Sequence, residues 1–372
     1  MTQKVLITGG AGFIGNHLAG ELLEAGHRVR VLDNLASQVH GEDAALPSDL
    51  PAGVEMVRGD VRSPADVRRA IKDIDVVYHF AASVGVGQSM YQIRHYTDNN
   101  NVGTASLLEA LAEQKPRRLI VASSMSLYGE GVYRAPDGTL HQDVSRNLER
   151  LRFHDWEPRD AAGQVLEPVA TPETKRPNLA SVYALSKFDQ EQLCLIFGRA
   201  YGVPTVALRF FNVYGPGQAL SNPYTGVMAI FASRLLNGKA PLIFEDGNQR
   251  RDFVHVSDVV RCCRLAMERE RIDGETFNVG SGENFSVAEI ARQMARSLGK
   301  AYLEPEITMK YRQGDIRHCF ADIGKARELL GYQPSVTLGQ GINDLAEWLA
   351  GRSAVDRTAE AGGELAQRGL AI

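Results

Sequence analysis

The stretch Val5-Leu6-Ile7-Thr8-Gly9-Gly10-Ala11-Gly12-Phe13-Ile14-Gly15 sets spaced glycines between a short apolar run and an amphipathic run. The apolar run predicts a buried strand, and the residues after Gly12 predict a helix. Gly9 permits a tight turn, Gly12 lets the backbone approach a ligand, and Gly15 lets helix and strand pack closely. Because unpaired N–H groups at a helix start bind anions, we expect a pyrophosphate here. The expected contacts are Gly9, Gly12, Phe13, Ile14 and Gly15.

The same alternation of short β-branched runs and longer amphipathic stretches continues through residues 1–208. It is typical of parallel strands joined by crossover helices and predicts an α/β fold, a Rossmann-type doubly wound parallel sheet. The predicted strands are Lys4–Thr8, Arg28–Asp33, Val54–Arg58, Asp75–Phe80, Arg118–Ser123 and Thr205–Arg209. The predicted helices are Phe13–Ala25, Pro64–Ile71, Thr97–Gln114 and Ser181–Tyr201.

The end of the second predicted strand, Asp33, indicates which nucleotide binds. A carboxylate there accepts both hydroxyls of an adenosine ribose and repels a 2′-phosphate, which favours NAD over NADP. Arg30 on the same strand is expected to face solvent. Asp60, after the third strand, could accept the adenine amino group, and small residues after the fourth leave room for the cofactor. The expected NAD contacts here are Asp33, Asn34, Asp60, Val61, Phe80, Ala81 and Ala82.

The remaining residues predict a smaller, mixed α/β substrate-binding lobe. We assign residues 1–208, with 253–280 returning, to the NAD-binding domain, and 209–252 with 281–350 to this lobe. A polar stretch near 130–177 predicts a long insertion, and 351–372 a polar C-terminal tail that is frayed or forms a short surface helix. A short strand is expected at Phe277–Val279, and helices at Val227–Leu236, Val287–Leu298, Ile323–Leu329 and Leu338–Leu349.

Composition argues against several classes of function. The chain has 372 residues, a net charge of -4 and no basic run, so no nucleic-acid partner is expected. No apolar stretch approaches the roughly 20 residues of a membrane-spanning helix, so we expect no membrane association and a cytoplasmic location. The 4 cysteines and 9 histidines lack metal-ligand spacing, so no metal site is expected.

Tyr183 and Lys187 lie about one helical turn apart, so both side chains share one helix face. An ammonium beside a phenol favours the phenolate and lowers the pKa of Tyr183 from its ordinary value of about 10. A tyrosine whose pKa is lowered in this way can take a proton from an alcohol. The spacing is common by chance, so its meaning depends on the motifs around it.

In this order the motifs resemble those of the extended short-chain dehydrogenase/reductases, and more narrowly the nucleotide-sugar epimerases and dehydratases, from about Lys4 to Leu349. The resemblance implies that Tyr183 is the base, that Lys187 lowers its pKa and holds the nicotinamide ribose, and that Ser124 bonds the same sugar hydroxyl. The motifs that carry it are the glycine loop, Asp33, Asp60, Phe80-Ala81-Ala82, Ser123-Ser124, Tyr183, Lys187 and Arg209-Phe210-Phe211-Asn212-Val213-Tyr214-Gly215-Pro216.

The resemblance also implies contacts away from the reacting carbon. Asn100 matches an asparagine that steadies the active site beside the cofactor. The diphosphate of a nucleotide sugar would bind Asn212, Arg251 and Arg312, since guanidinium groups suit phosphate oxygens. Asp315 would accept from the nucleotide ribose, and Phe244 would lie near the base. Members of the family are usually dimers through the helices that begin at Thr97 and Ser181, so a homodimer is expected.

Met125 and Ser126 limit which reactions of this family are expected. The 4,6-dehydratases of this family carry an Asp-Glu pair there to remove water, and sugar-acid decarboxylases keep a glutamate where Ser126 stands. A thioether cannot move a proton, and a serine hydroxyl is too weak an acid or base for elimination. We therefore expect a nucleotide-sugar 4-epimerase that oxidises C4 to a ketone and returns the hydride to the other face. An NADPH-dependent 4-keto-sugar reductase and a non-catalytic NAD-binding regulator are the alternatives.

For the sugar, Tyr214–Gly226 resembles the branch of dTDP-L-rhamnose 4-epimerases, and the insertion near 130–177 fits that branch. A dTDP-6-deoxyhexose is therefore expected, with UDP-glucose and UDP-glucuronate as alternatives. Two cysteine-bearing knuckles are typical of the branch, but Arg134–Gly138 and Asp160–Gly163 stand in their place. A structural zinc is accordingly not expected.

Overall fold

The computed structural model describes residues 2–41, 49–312 and 314–370, so Gln313 of the Arg312–Asp315 motif lies outside the described residues. The strands in chain order are β1 (Lys4–Thr8), β2 (Arg28–Asp33), β3 (Glu55–Arg58), β4 (Val76–His79), β5 (Arg118–Ser124), β6 (Val132–Arg134), β7 (Leu140–His141), β8 (Glu167–Val169), β9 (Thr205–Phe210), β10 (Asn212–Tyr214), β11 (Leu242–Ile243), β12 (Arg250–Arg251), β13 (Phe253–His255), β14 (Thr276–Val279), β15 (Phe285–Ser286), β16 (Glu306–Ile307) and β17 (His318–Cys319). The α-helices are α1 (Phe13–Glu24), α2 (Ser37–His40), α3 (Pro64–Ile71), α4 (Val86–Ser89), α5 (Ile93–Tyr96), α6 (Gly103–Glu113), α7 (Leu148–Arg152), α8 (Val182–Tyr201), α9 (Val227–Leu236), α10 (Val256–Glu268), α11 (Val287–Ser297), α12 (Leu338–Leu349) and α13 (Thr358–Gln367).

The central sheet has 7 parallel strands in the order β14-β9-β5-β4-β1-β2-β3. Val5 of β1 pairs with Val29 of β2 on one side and with Val76 of β4 on the other. The strand order reverses between β1 and β4, so a ligand crevice is expected outside their carboxyl ends. This topology confirms the predicted Rossmann fold, and each predicted strand ends within one residue of the observed one.

Helices cover both faces of the sheet, as the alternating pattern predicts. On one face Leu18 of α1 and Val259 of α10 are fully buried in the larger core. On the other face Val67 of α3, Leu107 of α6 and Cys194 of α8 are fully buried in a second core. The core residues of these helices lie on their sheet-facing sides, so hydrophobic burial fixes the three-layer arrangement.

The second lobe packs α9, α11 and α12 around its own core. Phe231, Ile290 and Leu345 are almost completely buried there. The strand predicted at Phe277–Val279 is β14 of the central sheet. Around the second lobe, short strands pair with one another, among them β10 with β13 and β12 with β15 and β17. Strands of two or three residues are too short for an alternating pattern, which is why the sequence does not reveal them.

Two predicted helices are not regular α-helices over their full length. The helix expected over Thr97–Gln114 begins as a π-helical segment, Thr97–Val102, and the one expected over Ile323–Leu329 contains another, Ala326–Leu330. A π-helical segment carries an extra residue per turn, so periodicity at 3.6 residues cannot distinguish it over such a short span. Asn100 lies within the first of these segments.

The insertion near 130–177 is folded. β6 pairs antiparallel with β7 and β8, and Tyr133, Val144 and Leu166 form a small core beneath them. Glu130 accepts a hydrogen bond from the Arg317 backbone N–H at 2.7 Å. This buried contact fastens the insertion to the second lobe. No helix in the described part of the chain combines the length and apolar character that a membrane span requires.

Candidate active site

A cleft of about 1670 Å³ is lined by residues of both lobes and by the C-terminal segment. It collects almost every predicted site residue, although these are spread over some 300 positions of the sequence. The predicted residues on its walls are Gly9, Gly12, Phe13, Ile14, Gly15, Asp33, Asn34, Asp60, Val61, Phe80, Ala81, Ala82, Ser124, Tyr183, Lys187, Asn212, Phe244, Arg251, Arg312 and Asp315.

The glycine loop has the shape that a pyrophosphate requires. Gly9 has a φ of 69°, and a Cβ there would lie 2.8 Å from the Ala81 backbone nitrogen. A Cβ at Gly15 would lie 2.6 Å from the Gly9 carbonyl oxygen. Gly12 caps α1 and lies on the cleft wall, so the first N–H groups of that helix are accessible from the cleft. The loop therefore fits a dinucleotide.

Asp33 is held in place by backbone amides at the end of β2. Its Oδ2 accepts from the Ala11 N–H at 3.1 Å, and its Oδ1 accepts from the Leu35 N–H at 2.9 Å. Ala11 belongs to the glycine loop, so the carboxylate and the loop have a fixed relative position. A negative charge fixed here suits the hydroxyls of an adenosine ribose and opposes a 2′-phosphate.

The prediction that Arg30 faces solvent is wrong. Its side chain is only 16% exposed, and its Nε lies 2.9 Å from a Glu55 carboxylate oxygen. Its Nη1 donates to the carbonyl oxygens of Ala70 at 2.9 Å and Lys72 at 2.8 Å. These partners hold the guanidinium away from the cleft wall, so Arg30 gives no support to NADP.

Asp60 has partners that the sequence did not reveal. Arg62 donates to it through Nη2 at 2.7 Å and Nε at 2.9 Å, and the Asn34 amide donates at 3.1 Å. The hydrogen bonds from Arg62 are the main reason why the pKa of Asp60 is lowered to about 2. Asp60 is therefore ionised at neutral pH, and its contact with adenine stays a prediction.

Tyr183 and Ser124 both line the cleft. Ser181 caps α8 by accepting from the Ala184 N–H at 3.1 Å, and Tyr183 occupies the first turn of that helix. Burial raises the pKa of Tyr183 above its ordinary value, and the hydrogen bond with Ser124 opposes that rise. The two residues that were predicted to bond one sugar hydroxyl are thus adjacent.

Lys187 departs from the prediction in one respect. Its Nζ donates to Gln190 Oε1 at 2.7 Å, and burial lowers the pKa of Lys187 to about 8. The predicted lowering of the Tyr183 pKa by Lys187 is not observed, because burial and Ser124 are the influences on that phenol. Gln190 is fully buried and also donates to Thr104 Oγ1 at 2.9 Å. No sequence motif had indicated this glutamine.

Asn100 is fully buried and is not among the residues that line the cleft, so its role as a cofactor contact stays a prediction. Its Oδ1 accepts from the Ser83 N–H at 2.7 Å, and its Nδ2 donates to Ser186 Oγ at 2.8 Å. Ser186 lies on α8 between Tyr183 and Lys187. The fully buried amide therefore ties the loop after β4 to the catalytic helix. This contact agrees with the steadying role that the resemblance implied.

On the other wall, backbone carbonyls hold the Arg251 guanidinium, and Glu130, Glu245 and Asp315 lie close enough to act on its charge. Its guanidinium donates to the carbonyl oxygens of Arg250 at 2.9 Å, Arg317 at 2.8 Å and Ile316. Among the described residues no carboxylate forms an ion pair with it, and burial lowers the pKa of Arg251. Asn212 Oδ1 is buried nearby on the same cleft wall with no protein partner in the described chain. The Arg251 guanidinium is suited to an anionic ligand, whereas the Asn212 oxygen, an acceptor, is suited to a ligand hydroxyl or N–H group.

Arg312 is arranged differently. Its Nε donates to Asp315 Oδ2 at 2.8 Å, and its guanidinium lies 4.6 Å from the centre of the Phe244 ring. The three predicted contacts to the nucleotide end of the substrate therefore form one cluster. The described residues contain no group of three metal-ligating side chains that could hold an ion.

Comparisons with known proteins agree with this site. The model of the NAD dependent epimerase/dehydratase family matches residues 5–148 and 159–280. A dTDP-L-rhamnose 4-epimerase from Burkholderia thailandensis is 34% identical over 94% of this chain and 95% of its own. A putative UDP-glucose 4-epimerase from Methanocaldococcus jannaschii is 31% identical over 93% of this chain and 98% of its own.

Solved structures resemble the whole fold. A Thermus thermophilus UDP-glucose 4-epimerase in complex with NAD is 30% identical, with a TM-score of 0.73 over 94% of this chain and 99% of its own. The UDP-glucuronic acid 4-epimerase from Bacillus cereus, in complex with UDP-glucuronic acid and NAD, is 28% identical, with a TM-score of 0.75 over 93% and 99%. The chain therefore belongs to the NAD-dependent epimerase/dehydratase family, and it is an isomerase with NAD as its cofactor.

Proposed function

We propose that this isomerase inverts C4 of a nucleotide-diphosphate sugar. The observation that carries the proposal is that Tyr183 and Ser124 lie side by side on the cleft wall, with Met125 and Ser126 next to them. The tyrosine has a partner for a sugar hydroxyl but no neighbouring acid–base pair for elimination. Oxidation followed by reduction at the same carbon is then the whole reaction.

Bound NAD would supply reversible hydride transfer at C4, so the net redox change would be zero. Tyr183 takes the proton of the 4-hydroxyl and gives it back after inversion. Ser124 hydrogen-bonds the same oxygen and holds it against the phenol. Lys187 holds the nicotinamide ribose, and its positive charge favours the phenolate once its ammonium turns towards that ribose.

Inversion requires the 4-keto sugar to present its opposite face while the nucleotide stays bound. We assign the diphosphate to Asn212, Arg251 and Arg312. The buried Arg251 guanidinium supports this, because its anchoring to backbone carbonyls leaves its charge for an anion. Phe244 and Asp315 would hold the base and the ribose. The sugar can then rotate about the diphosphate while both ends of the nucleotide remain fixed.

For the sugar we propose dTDP-L-rhamnose or a related dTDP-6-deoxyhexose. The sequence of Tyr214–Gly226 and the relative from Burkholderia thailandensis support this choice. UDP-glucose and UDP-glucuronate are the alternatives, supported by the other relatives and neighbours. A 4-keto-sugar reductase, an enzyme of another class, would need NADPH. The fixed carboxylate of Asp33 opposes the binding of NADPH.

The decisive experiment incubates the NAD-loaded protein with dTDP-L-rhamnose, UDP-glucose and UDP-glucuronate separately, and follows the configuration at C4 by NMR. Inversion without added cofactor is expected for the dTDP-sugar. Solvent deuterium at C5 or C6 would instead indicate dehydration or 3,5-epimerisation and would refute the proposal. Stoichiometric reduction of added NADP+ by one of these sugars, with its C4 hydroxyl oxidised to a ketone, would instead identify a reductase running in reverse.

We further propose a homodimer, in a cytoplasmic protein. Its interface is formed by α8 and by the helical stretch that begins at Thr97. Leu185, Leu193 and Ile196 of α8 and Val102 are exposed, with exposed fractions from 36% to 52%. Apolar side chains grouped on one helix favour burial against a second copy. Sedimentation velocity should give a dimer for the native chain and a monomer for Ile196→Asp.

A further inference from the structure

The C-terminal residues form part of the cleft. Within α13, Ala361 and Leu365 are 8% and 4% exposed, and both line the cleft. A Cβ built at Gly87 would lie 3.4 Å from the Leu365 Cδ1 atom, so this helix contacts the segment that follows β4. The tail is therefore a wall of the active site.

A hydrogen-bonded cluster joins this helix to both lobes. The Tyr91 hydroxyl donates to Glu364 Oε2 at 2.5 Å and lies 2.5 Å from the Tyr224 hydroxyl. The Tyr224 hydroxyl lies 3.3 Å from the same carboxylate oxygen. We call Tyr91, Tyr224 and Glu364 the clasp. Arg368 adds to it, because its guanidinium lies 4.3 Å from the centre of the Tyr91 ring.

Each member of the clasp comes from a different part of the chain. Tyr91 follows α4 in the NAD-binding domain, Tyr224 lies in the loop before α9 of the second lobe, and Glu364 lies on α13. A second contact between the lobes lies beside the clasp. The Gln38 side-chain amide donates to Gln88 Oε1 at 3.1 Å and to Asn222 Oδ1 at 3.2 Å. The two lobes are thus joined across the cleft at two adjacent places.

The clasped segment also supports the catalytic tyrosine. Ser89 Oγ accepts from the Tyr183 N–H at 3.0 Å. The Tyr96 ring packs edge-on against the Tyr183 ring with centres 6.4 Å apart, and its hydroxyl donates to Gln88 Oε1 at 3.0 Å. A change at the clasp therefore has a short path of direct contacts to the reacting phenol.

We propose that Glu364 is a positioning residue that, through Tyr91 and Tyr224, keeps the cleft closed around NAD between the two hydride transfers. This inference rests on the proposed function, because only a reaction with zero net redox requires the same cofactor to stay bound through a turnover. The Glu364 carboxylate is suited to accept the hydrogen bonds of the clasp, since the bond from Tyr91 lowers the pKa of Glu364 and keeps it ionised.

The test measures exchange of bound NAD without any sugar. The full chain is loaded with radiolabelled NAD, chased with unlabelled NAD, and the retained label is followed by rapid gel filtration. Loss of the hydrogen bonds to a charged acceptor should speed exchange about tenfold in Glu364→Ala. Glu364→Gln, whose amide oxygen still accepts one bond, should lie between that variant and the native protein. Glu360→Ala, at an exposed position of the same helix, is the matched control and should not change exchange.

A double-mutant cycle identifies the path. Glu364→Ala should accelerate exchange in the native background and add clearly less in Tyr91→Phe, where only the longer bond from Tyr224 remains to be lost. Native exchange rates in Glu364→Ala, or fully additive effects, would overturn the clasp. Because no sugar is present, these outcomes are independent of the proposed function. Conversely, a failure to epimerise any sugar would leave the exchange data standing and would remove only their link to turnover.

Discussion

Glu191 and Arg209 form a doubly hydrogen-bonded ion pair beneath the active site, with Arg209 Nη2 2.7 Å and Nε 2.9 Å from the two carboxylate oxygens. Glu191 is fully buried, and Ser123 Oγ donates to it at 2.6 Å. The pair joins α8 to β5 and β9. It therefore fixes the helix that carries Tyr183 against the strand that ends in Ser124.

Glu191→Gln should destabilise the protein strongly. The substitution keeps the shape of the side chain but leaves the Arg209 guanidinium buried without its counter-charge. We expect the free energy of unfolding in urea to fall by about 3 kcal/mol. The control is Asp98→Asn, which breaks the exposed ion pair with Arg94 at 3.3 Å and should cost less than about 0.5 kcal/mol. Equal effects of the two substitutions would contradict this assignment.

Tyr183→Phe should abolish turnover and spare cofactor binding. Removing the phenol oxygen deletes the proposed base, and we expect kcat to fall about 1000-fold or more. The NAD content of the purified protein, measured by absorbance after denaturation, should stay at the native level. Tyr201→Phe is the control on the same helix, since Tyr201 is 45% exposed and should leave kcat unchanged. Near-native turnover of Tyr183→Phe would refute the role of the phenol.

The fold could be predicted because its signals are local. The six predicted β-branched or apolar strands and the glycine loop alternate with amphipathic helices, and each signal is complete within about a dozen residues. The cleft wall was predictable for the same reason, because residues such as Asp33 and Tyr183 sit in short motifs. Once the strand order is known, it follows which loops lie at the carboxyl ends of the strands and line the cleft.

Contacts between distant residues could not be predicted. Nothing near Gln190 indicates that it bonds Thr104, 86 residues earlier, and nothing near Asn100 indicates that it bonds Ser186, 86 residues later. The tail shows the limit most clearly. Leu365 lies among small and polar residues, and its burial depends on a segment near Gly87 that is remote in sequence.

Arg251→Lys should weaken substrate binding more than it slows catalysis. A lysine offers one point charge and cannot both reach the backbone carbonyls that anchor Arg251 and hold a phosphate. We expect KM for the nucleotide sugar to rise about tenfold, with kcat changed by less than about twofold. Arg250→Lys is the matched control, because Arg250 is the exposed neighbour of Arg251 and its guanidinium donates to Asn284. An unchanged KM in Arg251→Lys would exclude this residue from the diphosphate site.

Asp252 should make stability depend on pH in an unusual direction. The buried carboxylate accepts from the Ser281 N–H at 2.7 Å and the Gly282 N–H at 2.9 Å. Burial nevertheless raises the pKa of Asp252 from 3.8 to about 6. The folded state therefore binds this proton more tightly than the unfolded state. Its stabilising contribution is complete below about pH 4 and is lost as the pH rises through about 6.

The measurement compares urea unfolding of the native protein and Asp252→Asn, both saturated with NAD, between about pH 4 and pH 7. Other groups titrate in both proteins, so the difference between their free energies of unfolding isolates Asp252. The native protein should lose about 2 kcal/mol relative to the variant across this range. Asp98→Asn, at an exposed position, should show no such trend against the native protein. A pH-independent difference for Asp252→Asn would mean that the Asp252 carboxyl has an ordinary pKa in the folded state, because the two amide hydrogen bonds then balance its burial.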